Sequence, residues 1–274
     1  MPQHTAITEA LVPAIAELAD TAQHLWDKGW AERNGGNISV EVTEALASVA
    51  RGQQQDLFRH QAVPYPELAG RSFLLTGAGT RMRDVARQPA ANCCVLRVSD
   101  QLDGCAILWG GERPGFQPTS ELASHLAVHA LLLRAGRPQK AFLHTHPDEL
   151  IALTHIPQYG DERALNQLLW SMHAEVKIVI PEGVGFAPYR PPGSEALAEV
   201  TLAALAEHRV AVWEKHGCVA VGAGPADAFD LIDTVNKAAA IFFLCKGAGF
   251  EPEGLTRDEV AELGRLFPAD PGQR

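Results

Sequence analysis

Leu143-His144-Thr145-His146-Pro147 sets two imidazoles two residues apart at the end of an apolar run. Read as a strand, the segment turns His144 and His146 to one face of a sheet. Pro147 stops the strand just beyond them, which places both rings at the sheet's rim. Such a pair is part of a divalent-metal site: zinc takes three or four nitrogen, sulfur or oxygen ligands and keeps a position open when it is catalytic. The third ligand must come from elsewhere, and His216 in Lys215-His216-Gly217, between two strand-like runs, is the natural candidate. The same H-x-H spacing also arises as two surface histidines at a strand end. A second arrangement competes, because Glu121, His125 and His129 recur every four residues on one helical face, and i, i+4 histidines also bind metals. That face lacks the H-E-x-x-H order, and its helix must bury Leu122 and Leu126 nearby. Surface or packing roles suit His125 and His129 better.

Three further segments have the chemistry of anion sites. Glu121 follows Pro118-Thr119-Ser120 at the start of a predicted helix, where free backbone N–H groups and two hydroxyls favour a negative charge. The position can hold a phosphate and a catalytic carboxylate; an acidic first-turn residue that merely complements the helix dipole has the same appearance. Asn34-Gly35-Gly36-Asn37 and Thr76-Gly77-Ala78-Gly79 are glycine-rich turns that let backbone amides approach a ligand. Neither matches the P-loop or the dinucleotide fingerprint. Each alone is an ordinary turn, and together with an H-x-H pair they gain weight.

The elements that must position these groups follow from periodicity and punctuation. Leu11, Ile15, Leu18, Ala22 and Leu25 fall at helical spacing in an opening helix from Ile7 to Gly29 or Trp30. Strands are predicted at Ile38–Val42, Ser72–Thr76, Cys93–Val98, Cys105–Trp109, Lys140–Thr145 and Val176–Ile180, with a pair at Val210–Trp213 and Cys218–Val221. Helices are predicted at Ser120–Leu133, capped by Thr119 or Ser120, around Ile151–Thr154, at Ser194–Glu207 and at Ala226–Leu244. Between about Thr43 and Gly70, Gly52, the run Gln53 to Gln55, Pro64 and Pro66 indicate an irregular excursion. Strands and helices interleave, so the class is α/β. No repeat or internal boundary divides the sequence, and a single domain over 1–274 is expected.

Composition limits the function. A chain of 274 residues with 46% hydrophobic and 20% charged residues can bury a sizeable core. A net charge of −10 and a pI near 5.5 argue against a nucleic-acid partner, which needs a basic face. An anionic small substrate stays open, because backbone amides can bind it locally. Five cysteines, an odd count with Cys93 and Cys94 adjacent and no C-x-x-C, suit a reducing compartment. The first twenty residues carry Glu9, Glu17 and Asp20 and do not read as a signal peptide. No apolar stretch is long enough for a membrane span. The expectation is a cytoplasmic protein with no membrane or nucleic-acid partner.

The order of motifs, Asn34-Gly35-Gly36-Asn37, Thr76-Gly77-Ala78-Gly79, Pro118-Thr119-Ser120-Glu121, His144-Thr145-His146 and Lys215-His216-Gly217, resembles the class II aldolase/adducin family over nearly the whole chain. Lys28-Gly29-Trp30-Ala31-Glu32-Arg33, Ile107-Leu108-Trp109-Gly110, Pro181-Glu182-Gly183-Val184-Gly185 and the long segment before Thr76 point to a longer branch of it. The resemblance implies a three-layer α/β/α fold around a mixed, largely antiparallel sheet and a homotetramer with sites at subunit contacts. It implies one Zn2+ per subunit on His144, His146 and His216. It further implies Glu121 as the acid/base, Glu175 as a second carboxylate reaching a neighbouring subunit, and Asn34, Asn37, Gly79 and Ser120 around a phosphorylated ketose. The reaction implied is reversible cleavage to dihydroxyacetone phosphate and a lactaldehyde-sized aldehyde. Sister reactions on a ketose phosphate, epimerisation or dehydration, use the same metal site, whereas the non-catalytic adducin branch is expected to lack the ligands. Ala78 departs from the family's T-G-S-G and removes one hydroxyl from the phosphate site.

Overall fold

The computed structural model describes residues 2–49 and 63–268. In chain order its elements are α1 (Pro2–Asp27), β1 (Asn37–Glu41), β2 (Ser72–Thr76), α2 (Met82–Arg87), α3 (Pro89–Asn92), β3 (Cys93–Val98), β4 (Cys105–Gly110), α4 (Leu122–Arg134) and β5 (Ala141–Thr145). They continue with α5 (Asp148–Leu153), α6 (Glu162–Met172), α7 (Ala174–Val179), β6 (Val184–Ala187), α8 (Glu195–Leu205), β7 (Val210–Trp213), β8 (Gly217–Gly222), α9 (Pro225–Gly247) and α10 (Arg257–Leu266). Gly52 and Gln53 to Gln55 lie outside the described residues. Pro66–Leu68, in the same excursion, forms one 3₁₀ turn.

The strands join in one eight-stranded sheet, ordered β4-β3-β2-β1-β5-β8-β7-β6. Every neighbouring pair is antiparallel except β6 with β7. Alternation along the strands separates two faces. Ile38, Leu74, Val95, Leu143, Ala220 and Val212 enter the core shared with α1, α5, α6 and α9. Phe73, Leu75 and Leu96 meet Leu126 and Ala130 of α4, and Phe142, Val219 and Ala211 meet Val128 and Leu132 of α4 and Leu197 of α8. The result is the expected three-layer α/β/α arrangement with a mixed, mostly antiparallel sheet.

Residues 176–180 are not the strand that their β-branched content predicts. Residues 176–179 belong to α7 with Ile180 as its C-cap, and the burial shows why: Val176 and Ile180 are buried four residues apart while Val179 is exposed. A strand would bury 176, 178 and 180 alike. Helix α4 begins at Leu122, two residues later than predicted, and neither Thr119 nor Ser120 is its N-cap. Glu121 occupies that position and its side chain does not cap the helix. The five cysteines are free, and four of them are buried. Among the described residues no helix is long and apolar enough to cross a membrane.

Candidate active site

The antiparallel register gathers the chemistry at one end of the sheet. Asn37, which opens β1, pairs with His144 near the end of β5, and Thr145 pairs with Cys218 near the start of β8. His144 shares a face with Phe142, toward α4. His146 lies one residue past β5, where its N–H donates to the Trp30 carbonyl at 2.9 Å. His216 closes the three-residue loop between Trp213 and Gly217, a hairpin whose Lys215 takes the left-handed conformation at φ 57°. Trp213 packs against the rings of both His144 and His216, at 4.4 and 5.0 Å between centroids. Two glycines permit this crowding. A Cβ on Gly217 would lie 2.6 Å from the Thr145 carbonyl oxygen and 2.7 Å from His144 Cε1, and one on Gly35 would lie 2.9 Å from the His146 ring.

These histidines can hold a metal: their ligand atoms lie within 4.8 Å of one another. The outer nitrogens give a sharper reason. His144 Nδ1 donates to the Cys218 carbonyl at 3.1 Å, and His146 Nδ1 donates to the Glu32 carboxylate at 2.8 Å. With both rings in the uncharged form that ligates a metal, these bonds leave the two Nε2 atoms with lone pairs that face each other at 3.1 Å. Two opposed lone pairs at that separation call for a cation, and tetrahedral zinc with bonds of ~2.0–2.1 Å sets its nitrogen ligands about 3.3 Å apart. Burial and the neighbouring imidazoles push His144 well below its ordinary pKa, and His216 falls to about 4. Uncharged imidazole is the form that ligates.

Glu121 is buried beside this cluster. Its Oε2 is 3.9 Å from His144 Nε2 and its Oε1 4.0 Å from His216 Nε2. Burial raises its pKa, opposed by the hydrogen bond from Asn37 Nδ2 to Oε2 at 2.8 Å and by His146. The glycine turns converge on the same place. Thr119 N–H donates to the Thr76 carbonyl, Ala78 N–H donates to the Gln117 carbonyl, and Gly77 bridges to Pro118. Ser120, Thr119 and Ala78 line a cavity of about 930 Å³ that extends toward Glu195 and Leu202 of α8. Gly79 has φ 66° and open space where a side chain would stand. Asn34 is exposed at the head of its turn, while the Asn37 side chain is buried and engaged with Glu121 and His125. Glu175 is exposed on α7, which packs against α6, α9 and α10, and it does not join the histidine cluster.

His125 and His129 are internal, as a packing role requires, but they are far from inert. Both rings are buried and hydrogen-bonded through Ser39, and Asn37 joins them to Glu121. Sequence reasoning saw neither this linkage nor the part of Glu32. The signal for the first was available: Asn37 and Ser39 alternate with the apolar Ile38 and Val40 in β1, so the strand turns polar groups toward α4.

A sheet of this topology with a histidine cluster beside a buried carboxylate defines a class. The chain matches the class II aldolase and adducin N-terminal domain family over residues 16–243, and it belongs to that family. Within it the chain is a class II aldolase. It is 42% identical over 259 residues to the rhamnulose-1-phosphate aldolase of Bacteroides thetaiotaomicron, covering 94% of this chain and 95% of that one. It is 37% identical over 265 residues to the rhamnulose-1-phosphate aldolase of Listeria welshimeri, covering 94% and 93%. Among solved structures, a sugar-phosphate aldolase from Thermotoga maritima superposes with a TM-score of 0.71 at 29% identity, covering 89% of this chain and 99% of that one. An L-fuculose-1-phosphate aldolase from Thermus thermophilus shares the fold, with a TM-score of 0.57 at 20% identity, covering 87% and 97%.

Proposed function

We propose that this chain is a zinc-dependent aldolase that cleaves L-rhamnulose 1-phosphate reversibly to dihydroxyacetone phosphate and L-lactaldehyde. The observation that carries the reading is the buried Glu121 carboxyl, 3.9–4.0 Å from the inner nitrogens of His144 and His216. The substrate rests on the relatives at 42% and 37% identity, which match over nearly their whole length.

His144, His146 and His216 would hold the metal, an all-imidazole set that suits zinc. Bound there, it would supply Lewis-acid polarisation of the ketose carbonyl. The protein's own groups do the rest. Glu121 moves a proton at the carbon that becomes negatively charged when the carbon–carbon bond breaks: it protonates that carbon in cleavage and deprotonates it in condensation. Its raised pKa suits a group that must both take and give a proton. Ser120, Asn34 and the Gly79 backbone would hold the phosphorylated end, and Asn37 holds Glu121 in place. Ala78 stands where a hydroxyl would add one more donor. Glu175 of a neighbouring subunit would manage the proton on the oxygen that becomes the aldehyde, within a homotetramer in the cytoplasm.

Release of dihydroxyacetone phosphate from a panel of ketose 1-phosphates, followed in a coupled assay, tests the reading. Cleavage of L-rhamnulose 1-phosphate should vanish with chelation and return with zinc. Activity that survives complete metal removal sinks the mechanism, and preference for another ketose sinks the substrate assignment. Glu121→Gln should retain the metal and lose at least about a hundredfold in turnover, the usual scale of general acid–base catalysis.

A further inference from the structure

Behind Glu121 runs a buried chain of polar groups that the proposed reaction does not itself use. Asn37 Nδ2 donates to Glu121 Oε2 at 2.8 Å, and Asn37 Oδ1 is 2.5 Å from His125 Nε2. His125 Nδ1 is 2.6 Å from Ser39 Oγ, and Ser39 Oγ is 2.8 Å from His129 Nε2. The two rings are held edge-on or tilted against Phe142 and Phe73, at centroid distances of 4.8 and 4.7 Å. All four residues of the chain behind Glu121 are buried.

Because each member has a fixed stock of donors and acceptors, one end dictates the other. An ionised Glu121 only accepts, so the Asn37 amide nitrogen must face it and the amide oxygen must face His125. An amide oxygen also only accepts, so His125 carries its hydrogen on Nε2. A neutral imidazole then accepts at Nδ1, and the Ser39 hydroxyl must donate there. With that hydrogen spent, Ser39 Oγ accepts from His129 Nε2–H. Burial keeps both histidines neutral, lowering each to about 3, which excludes a doubly protonated ring that would break the sequence.

We propose that His129, Ser39 and His125 form a one-directional hydrogen-bond chain that locks the Asn37 amide with its nitrogen toward Glu121, pinning Oε2 and leaving Oε1 as the oxygen that exchanges a proton with substrate. These are positioning residues, and the proposal rests on Glu121 being the acid/base. The chain explains the otherwise costly burial of two histidines, a serine and an asparagine beneath one carboxyl, since each polar group is costly there unless it is paired. Reversing the amide requires every hydrogen behind it to reverse as well. Without Ser39, His125 can move its hydrogen to Nδ1, and the amide can turn its oxygen on Glu121 whenever the acid/base cycle leaves that carboxyl protonated.

The test has two arms on the metal-loaded protein. Ser39→Ala should lower kcat about tenfold while KM and metal content stay within about twofold, and Ser39→Thr, which restores the hydroxyl, should recover most of the loss. Wild-type kcat in Ser39→Ala, or a loss that only follows lost folded protein or lost metal, overturns the positioning role. Neutron diffraction on the unmodified protein supplies the second arm, whatever the variants do. Hydrogen should appear on Nε2 of His125 and His129, with the Ser39 hydroxyl aimed at His125 Nδ1. Hydrogen on His125 Nδ1, or an Asn37 oxygen facing Glu121, overturns the proposal. Near-normal turnover by Glu121→Gln would instead remove the acid/base reading and leave the neutron result standing, so the two failures are told apart.

Discussion

Burying two uncharged histidines makes this fold sensitive to acid, by an amount that follows from their environment. His125 and His129 are held near a pKa of 3, against 6.5 for an exposed ring. The unfolded chain therefore binds a proton at each position as the pH falls through 6.5, and the folded chain binds none until about 3. Unfolding takes up protons throughout that window, so the stability is fully present above 6.5 and is lost progressively on the way to 3. At pH 5 an unfolded imidazole is about 97% protonated and the buried one almost bare, which costs about 2 kcal/mol per ring relative to pH 7.5. The pair then removes about 4 kcal/mol from a domain stability of about 5–15 kcal/mol. Each ring contributes about 1.3 kcal/mol per pH unit to the slope near pH 5. Urea unfolding at pH 7.5, 6 and 5 measures it, with His129→Leu as the comparison. Whatever that variant's stability at pH 7.5, its slope near pH 5 should fall by about 1.3 kcal/mol per unit, because one titrating group has gone. An unchanged slope would refute the reasoning, since it means that His129 is charged in the folded protein or exposed to water.

The site itself yields two more expectations. Glu32 accepts from His146 Nδ1 at 2.8 and 2.9 Å and so orients a proposed metal ligand from behind; Glu32→Ala should weaken metal binding about 10- to 100-fold. Competition with a chromogenic chelator reads this directly, and an unaltered affinity would show that the contact does not set the ring. Gly217→Ala drives a methyl to 2.6 Å from the Thr145 carbonyl oxygen, a backbone atom that no rotamer change can move aside. The variant should lose metal stoichiometry as the hairpin shifts, and a full complement of metal would show that the loop has slack.

Sheet strands were legible where a run was both apolar and bounded by turn residues. Ser72–Thr76 and Cys93–Val98 carry such punctuation and stand as expected. β-Branched content misleads at Val176–Ile180, where the environment rather than propensity decides. There the chain packs along α6 and α9, and a helix is the form that buries Val176 and Ile180 together. β6 escaped notice because it has four residues and one is Gly185, a poor strand former. Its glycine is needed because a Cβ would lie 2.2 Å from the Ala204 carbonyl oxygen, under α8. Two further helices carry a signal in the sequence. Leu165, Leu168 and Leu169 have the period of α6 behind an Asp161 cap, and Thr256 with Glu259 is a capping box that opens α10.

The site divides along the same line. A strand's period of two delivers His144 and His146 to one place from five residues of text, and a glycine after His216 marks a tight hairpin. What links Glu121 to His125 and His129 has no such local mark. The helical spacing sets all three on one face of α4, equally consistent with packing, metal binding or solvent exposure. The choice is made by β1, 84 residues earlier, whose Asn37 and Ser39 meet that face. Alternation predicts that β1 turns two polar side chains inward, but not what they meet, since pairing partners come from the sheet order. Once β1 is known to lie beside β5 under α4, a buried Asn and Ser opposite two His and an ionised Glu admit one consistent assignment of hydrogens. The histidines of α4 are then required by the carboxylate, and the distinction between core residue and site residue loses its meaning for them. A hydrocarbon core at 125 and 129 would fold at least as readily and withstand acid better. That this chain instead keeps two histidines neutral and paired beneath the buried Glu121 carboxylate is the reason to look for their effect in kcat rather than in stability alone.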